Sequence, residues 1–116
     1  MKKIIIYIAG HNGMVGRSIH KYLLKKKTGN IITVDRKKLN LENLSKVNKF
    51  IKKIKPDVVI NCAGKVGGIL SNNSYPIEFL NENILIQSNL IRSSFLNGIN
   101  HFINLGSSCI YPKKSK

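Results

Sequence analysis

The chain is short of cysteine, of acidic residues and of any long apolar run, and each shortage closes off a class of protein. Its two cysteines, Cys62 and Cys109, lie far apart with no CxxC spacing, so neither a zinc site nor a disulfide framework is expected and both read as free thiols. His11, His20 and His101 show no ligand spacing to one another, and no metal site is expected. The apolar run from Ile4 to Ala9 is far below the ~20 residues of a membrane span, and its end at Gly10 and Gly13 is unlike a signal-peptide cleavage region. The expected setting is therefore cytoplasmic, with no membrane partner. Five acidic residues against 20 basic ones leave a net charge of +15, which raises the question of nucleic-acid binding. Only Arg17, Arg36 and Arg92 are arginines, and lysines such as Lys25, Lys26, Lys27, Lys49, Lys52 and Lys53 fall on the backs of predicted helices. That distribution describes solvated faces, and no nucleic-acid partner is expected.

What is present is a globular composition, 42% hydrophobic and 22% charged, over 116 residues, the size of one small domain. Residues 3 to 9 form an Ile-rich run that reads as a strand buried on both faces, as parallel sheets require. A glycine turn, Gly10-His11-Asn12-Gly13-Met14-Val15-Gly16, follows. Val15, Ile19, Tyr22 and Leu23 then recur at helical spacing up to about Lys27. A second strand spans Asn30 to Val34. The next helix carries Leu44, Val47, Phe50, Ile51 and Ile54 as one stripe, with Asn43 as N-cap and Pro56 just past its end. A third strand begins at Val58 and runs to Ala63. Pro76 to Gly98 predicts a long helix with Leu80, Ile84, Gln87 and Ile91 on one face and Gly98 as its stop. Phe102 to Leu105 supplies a fourth strand.

This alternation implies βαβ units and a parallel sheet. The expected architecture is α/β, a Rossmann-type doubly wound sheet of order 3-2-1-4 that stops after its fourth strand. Residues 1–116 then form one incomplete dinucleotide-binding domain, without a substrate domain.

The chemistry starts at the glycine turn. Between a first strand and a first helix, backbone N–H groups and the positive end of the helix dipole suit a pyrophosphate. The spacing Gly10-x-x-Gly13-x-x-Gly16 differs from GxGxxG in its first interval, but it follows a buried strand, opens a helix and is followed by Asp35 at the end of the second strand. Asp35 and Arg36 pull in opposite directions: a carboxylate suits the ribose hydroxyls of NAD, an arginine the extra phosphate of NADP. Cofactor choice stays open on these residues. At the end of the fourth strand, Ser107 and Ser108 are placed to hydrogen-bond a ligand oxygen, and Cys109 offers a thiol that could act as a base if its pKa were lowered. A polar turn with a buried cysteine accounts for the same residues equally well. Tyr22-x-x-x-Lys26 has the spacing of a proton-transfer pair, but its place on the first helix points instead to a core tyrosine beside a solvated lysine.

Four segments, Gly10 to Gly16, Lys65-Val66-Gly67-Gly68-Ile69, Asn72-Asn73-Ser74-Tyr75-Pro76 and Leu105-Gly106-Ser107-Ser108-Cys109-Ile110-Tyr111-Pro112, together resemble the GDP-L-fucose synthases, extended short-chain dehydrogenases/reductases. The resemblance covers the whole chain in order. It implies an NADP-dependent enzyme, with NAD as the alternative, that epimerises GDP-4-dehydro-6-deoxy-D-mannose at C3 and C5 and reduces its C4 ketone. It also implies a homodimer for the full-length family. Carried over by position, Gly10, His11, Asn12, Gly13, Met14, Val15 and Gly16 hold the pyrophosphate, and Leu105, Gly106, Ser107 and Ser108 line the nicotinamide. Ser107 meets the C4 oxygen and Cys109 removes the C3 and C5 protons. Two departures stand out. Asn12 occupies a place where the family commonly has arginine, leaving Arg36 as the nearest group for the NADP phosphate. The family's Tyr-x-x-x-Lys pair, acid histidine and sugar-nucleotide domain follow the GSSCIYP segment and do not occur within these 116 residues, which by themselves are expected to be inactive.

Overall fold

The computed structural model describes residues 3–64 and 76–105. Strand β1 (Ile5–Ala9) leads into helix α1 (Met14–Lys26), then β2 (Asn30–Ile32), α2 (Leu44–Ile54), β3 (Val58–Asn61), α3 (Pro76–Leu96) and β4 (His101–Asn104). All strand pairs are parallel, and the architecture is the α/β Rossmann type.

β1 is apolar on both faces because both faces are covered. Tyr7 and Ala9 join Leu39, Val47, Ile51, Val59, Ile86 and Leu90 in one cluster under α2 and α3. Ile6 and Ile8 join Ile60 in a second, against which Ile19 and Leu23 of α1 pack. Period-two alternation along β1 and β3 thus feeds two cores from one sheet. Tyr7 is buried edge-on against Phe50, ring centroids 4.9 Å apart, and burial pushes its hydroxyl pKa upward.

The strand order is β2-β1-β3-β4, which corrects the expected 3-2-1-4. β3 pairs with β1, from Ile6 opposite Val58 to Ala9 opposite Asn61, on the side away from β2. Burial explains this choice: Val59 and Ile60 are buried on opposite faces and belong inside the sheet, whereas β2 is three residues long and only partly covered. The chain therefore reverses its winding direction between β1 and β3, and the carboxyl ends of these two strands form the crevice where open α/β sheets bind ligands.

The helix boundaries follow local chemistry. Asn43 caps α2 by accepting from the Lys46 N–H at 3.0 Å, and α2 ends in a left-handed Lys55 before Pro56. Gly98, at φ +71°, closes α3. Two packing faces differ from expectation. Tyr22 is 59% exposed, with the Lys26 ammonium 5.7 Å from its ring centre, so it is a surface residue and no core tyrosine. On α3 the stripe of Leu80, Ile84 and Ile91 is exposed, and the buried face is Ile86, Asn89, Leu90, Ser93 and Ser94. Small residues let α3 approach α2 closely, and amides lock it there: Asn97 donates to Asn48 Oδ1 at 2.8 Å and Asn89 to the Leu41 carbonyl at 2.9 Å.

Candidate functional site

The glycine turn sits at the winding reversal, and its glycines have different tasks. Gly10 has φ +80°, and a Cβ there would stand 2.6 Å from the backbone of Ala63, just past β3. A Cβ on Gly16 would fall 2.0 Å from the Gly10 carbonyl oxygen. Both positions are required by the fold. Gly13 is not: a Cβ there meets only the Gly10 oxygen at 3.6 Å. It is the N-cap of α1 with no side-chain cap, and the first turn of α1 holds no acidic residue. The open N–H groups and the dipole of α1 thus face outward over a position kept free of side chain, the arrangement that receives an anion.

Beside the turn lies a cavity of about 180 Å³ lined by residues that include Gly10, His11, Asn12, Gly13, Arg36 and Cys62. Its apolar wall comes from Val34, Leu39, Leu41 and Ile86. The connection after β2 builds that wall. The Asp35 carbonyl accepts from the N–H groups of Lys38 and Leu39 at 2.9 and 3.0 Å, a turn that folds Leu39 back into the core. Cys62 is a free thiol in the same wall, and burial pushes its pKa up, which keeps it protonated and unreactive.

The predicted site residues divide into two groups. Gly10, His11, Asn12, Gly13, Met14, Val15, Gly16 and Arg36 are brought to one end of the sheet, with Met14 and Val15 exposed at the start of α1. His11 Nε2 and Asn12 Nδ2 lie 3.3 and 3.4 Å from Asp35 Oδ1, tying the turn to the end of β2. Leu105 follows β4 and donates to the Asn61 carbonyl at 3.2 Å. Gly106, Ser107, Ser108 and Cys109 lie outside the described residues, as does the Lys65 to Ile69 segment. Among the described residues no group of three His, Cys, Asp or Glu is placed to hold a metal, and no helix is long and apolar enough to cross a membrane.

Sequence reasoning missed the apolar wall and Asn61. This buried asparagine donates to Asn104 Oδ1 at 2.8 Å and accepts from the Ala63 N–H at 3.0 Å. It pins the carboxyl ends of β3 and β4 together, where Leu105 leaves the sheet. An amide inside the run Val58-Val59-Ile60-Asn61 was the available signal. Asn61→Leu is expected to cost about 1–3 kcal/mol, because the Asn104 amide and the Ala63 N–H lose their partner. Urea unfolding of the variant checks it.

A family model, the NAD dependent epimerase/dehydratase family, matches residues 6–116. The chain belongs to this family. Within the epimerase/dehydratase family, the chain is 45% identical over 108 residues to a GDP-L-fucose synthase of Sinorhizobium fredii, covering 93% of this chain and 34% of that protein. It is 41% identical over 116 residues to the GDP-L-fucose synthase of Escherichia coli, covering all of this chain and 36% of that one. The solved structure of MlghC, a GDP-mannoheptose C4 reductase from Campylobacter jejuni with NADP bound, superposes with a TM-score of 0.92 at 35% identity, over all of this chain and 34% of that one. The chain therefore spans about a third of the length of these relatives.

Proposed function

We propose that residues 1–116 form the dinucleotide-binding part of a GDP-L-fucose synthase. The observation that carries this reading is the turn itself. Gly10 and Gly16 close a cradle that any side chain would fill, Gly13 leaves the end of α1 open, and relatives bearing that activity's name align over nearly the whole chain. The open N–H groups of α1 hold the pyrophosphate, and the wall of Leu39, Leu41 and Ile86 takes the flat face of adenine. NADP has the support of the NADP-bound relative and of Arg36, NAD that of Asp35.

The substrate of this reading is GDP-4-dehydro-6-deoxy-D-mannose. Protons at C3 and C5 are acidic because each lies alpha to the C4 ketone, and Cys109, as thiolate, removes them. Ser107 donates to the C4 oxygen and stabilises the charge that gathers there. The bound dinucleotide supplies the hydride for reduction at C4. The proton for that oxygen comes from the Tyr-x-x-x-Lys pair that the family carries after the GSSCIYP segment, so the 116 residues alone bind dinucleotide without turnover. A homodimer, the family's assembly, is supported by the apolar face that α3 exposes at Leu80, Ile84 and Ile91; sedimentation of the purified protein checks it.

The decisive test is a hybrid joining residues 1–116 to the remaining two thirds of the Escherichia coli relative. It is expected to form GDP-L-fucose, and its Cys109→Ser variant to stop solvent deuterium entering C3 and C5 of the substrate. A hybrid that folds and binds dinucleotide but forms no product would sink the reading.

A further inference from the structure

The end of β2 decides between NAD and NADP by charge. Asp35 stands at the rim of the cavity, its side chain 61% exposed. Both of its recorded contacts, from His11 Nε2 and Asn12 Nδ2, fall on Oδ1. Oδ2 therefore has no partner among the described residues, while Oδ1 fixes the carboxylate against the turn that holds the pyrophosphate. A carboxylate held in this way accepts from the vicinal hydroxyls of a ribose and repels a phosphate esterified at the same place.

Arg36, the one group placed to offset that repulsion, is already engaged. Its Nη2 lies 3.3 Å from Glu42 Oε2, so gripping a phosphate means leaving one carboxylate and reaching past another. Asn12, also at the rim, brings no charge, and its amide is turned to Asp35. The net charge of +15 does not alter the balance, since at physiological salt charges beyond about 8 Å are largely screened.

We propose that Asp35 makes this a site for the unphosphorylated dinucleotide, NAD(H), against the NADP that the relatives suggest. The inference rests on the reading of the cavity as the adenosine site. A phosphate carrying about −1.5 to −2 charges beside an exposed carboxylate is disfavoured by roughly tenfold in binding.

The test is direct titration of the purified chain with NADH and NADPH, read by nucleotide fluorescence at pH 8 and 0.15 M salt. NADH is expected to bind about tenfold more tightly. Asp35→Asn is expected to erase that preference by strengthening NADPH binding, and Glu42→Gln, which frees Arg36, to shift it the same way without touching Asp35. NADPH bound as tightly as NADH by the wild-type chain would overturn the proposal. So would an Asp35→Asn variant that changes both affinities by one factor, because Asp35 would then only brace the turn. Failure of both nucleotides to bind would instead overturn the reading of the cavity, and this inference with it. If Asp35→Asn does not fold, the wild-type ratio and Glu42→Gln still decide.

Discussion

Alanine at position 16 is expected to cost the domain on the order of 3 kcal/mol and to abolish dinucleotide binding. The added methyl carbon would lie 2.0 Å from the Gly10 carbonyl oxygen, 2.8 Å from its carbon and 3.0 Å from the His11 Cα. All three neighbours are backbone, so no rotamer change relieves the clash, and α1 must move away from the turn it opens. That motion strips Ile19 and Leu23 from the cluster of Ile6, Ile8 and Ile60, which is where the free energy is lost. Gly13→Ala is the control. Its Cβ meets nothing closer than 3.6 Å, so the cost to stability is expected to stay within about 1 kcal/mol, the size of an N-cap exchange, while dinucleotide affinity falls because the open end of α1 is narrowed. Denaturant midpoints and nucleotide titrations on the two variants separate the roles. Equal midpoints for Gly16→Ala and the parent chain would refute the packing account.

The contrast between these glycines also marks how far sequence reading reaches. The strand, turn and helix around Gly10 to Gly16 were legible because each carries a local signal: an apolar run, a glycine spacing, a 3.6-residue stripe. The side of β1 on which β3 pairs has no such signal. It is set by which strands have two faces to bury, and that depends on α2 and α3 packing over Tyr7 and Val59. The buried face of α3 was misread for a related reason. Hydropathy weights Leu80, Ile84 and Ile91, but close helix contact is made by Ser93 and Ser94 and fixed by the amides of Asn89 and Asn97, residues that periodicity counts as polar. The cavity wall was hidden because Leu39 and Leu41 sit in an aperiodic connection, where an inward turn depends on hydrogen bonds to the Asp35 carbonyl. Asp35 and Arg36 were visible as opposed charges, yet only geometry shows one fixed to the turn and the other held by Glu42.

Leu90→Ala carries the other large expected effect and links the core to the site. Leu90 is fully buried in the cluster of Tyr7, Val47, Ile51 and Val59, and truncating a leucine in such a place costs about 2–5 kcal/mol, the spread reflecting how far the surroundings collapse into the cavity left behind. A small domain has only about 5–15 kcal/mol in total, so the variant stands near the edge of folding. Ile86 lies one helical turn before Leu90 on the same buried face and lines the nucleotide cavity, so loosening α3 at Leu90 loosens that wall as well. Saturating dinucleotide is expected to restore part of the lost stability, because it binds the folded chain and not the unfolded one. Thermal unfolding with and without NADH measures both effects. A midpoint shift on ligand addition larger in Leu90→Ala than in Gly13→Ala is the expected outcome, because Gly13→Ala weakens the pyrophosphate cradle itself whereas Leu90→Ala leaves it intact. The reverse order would place the adenine wall somewhere other than α3.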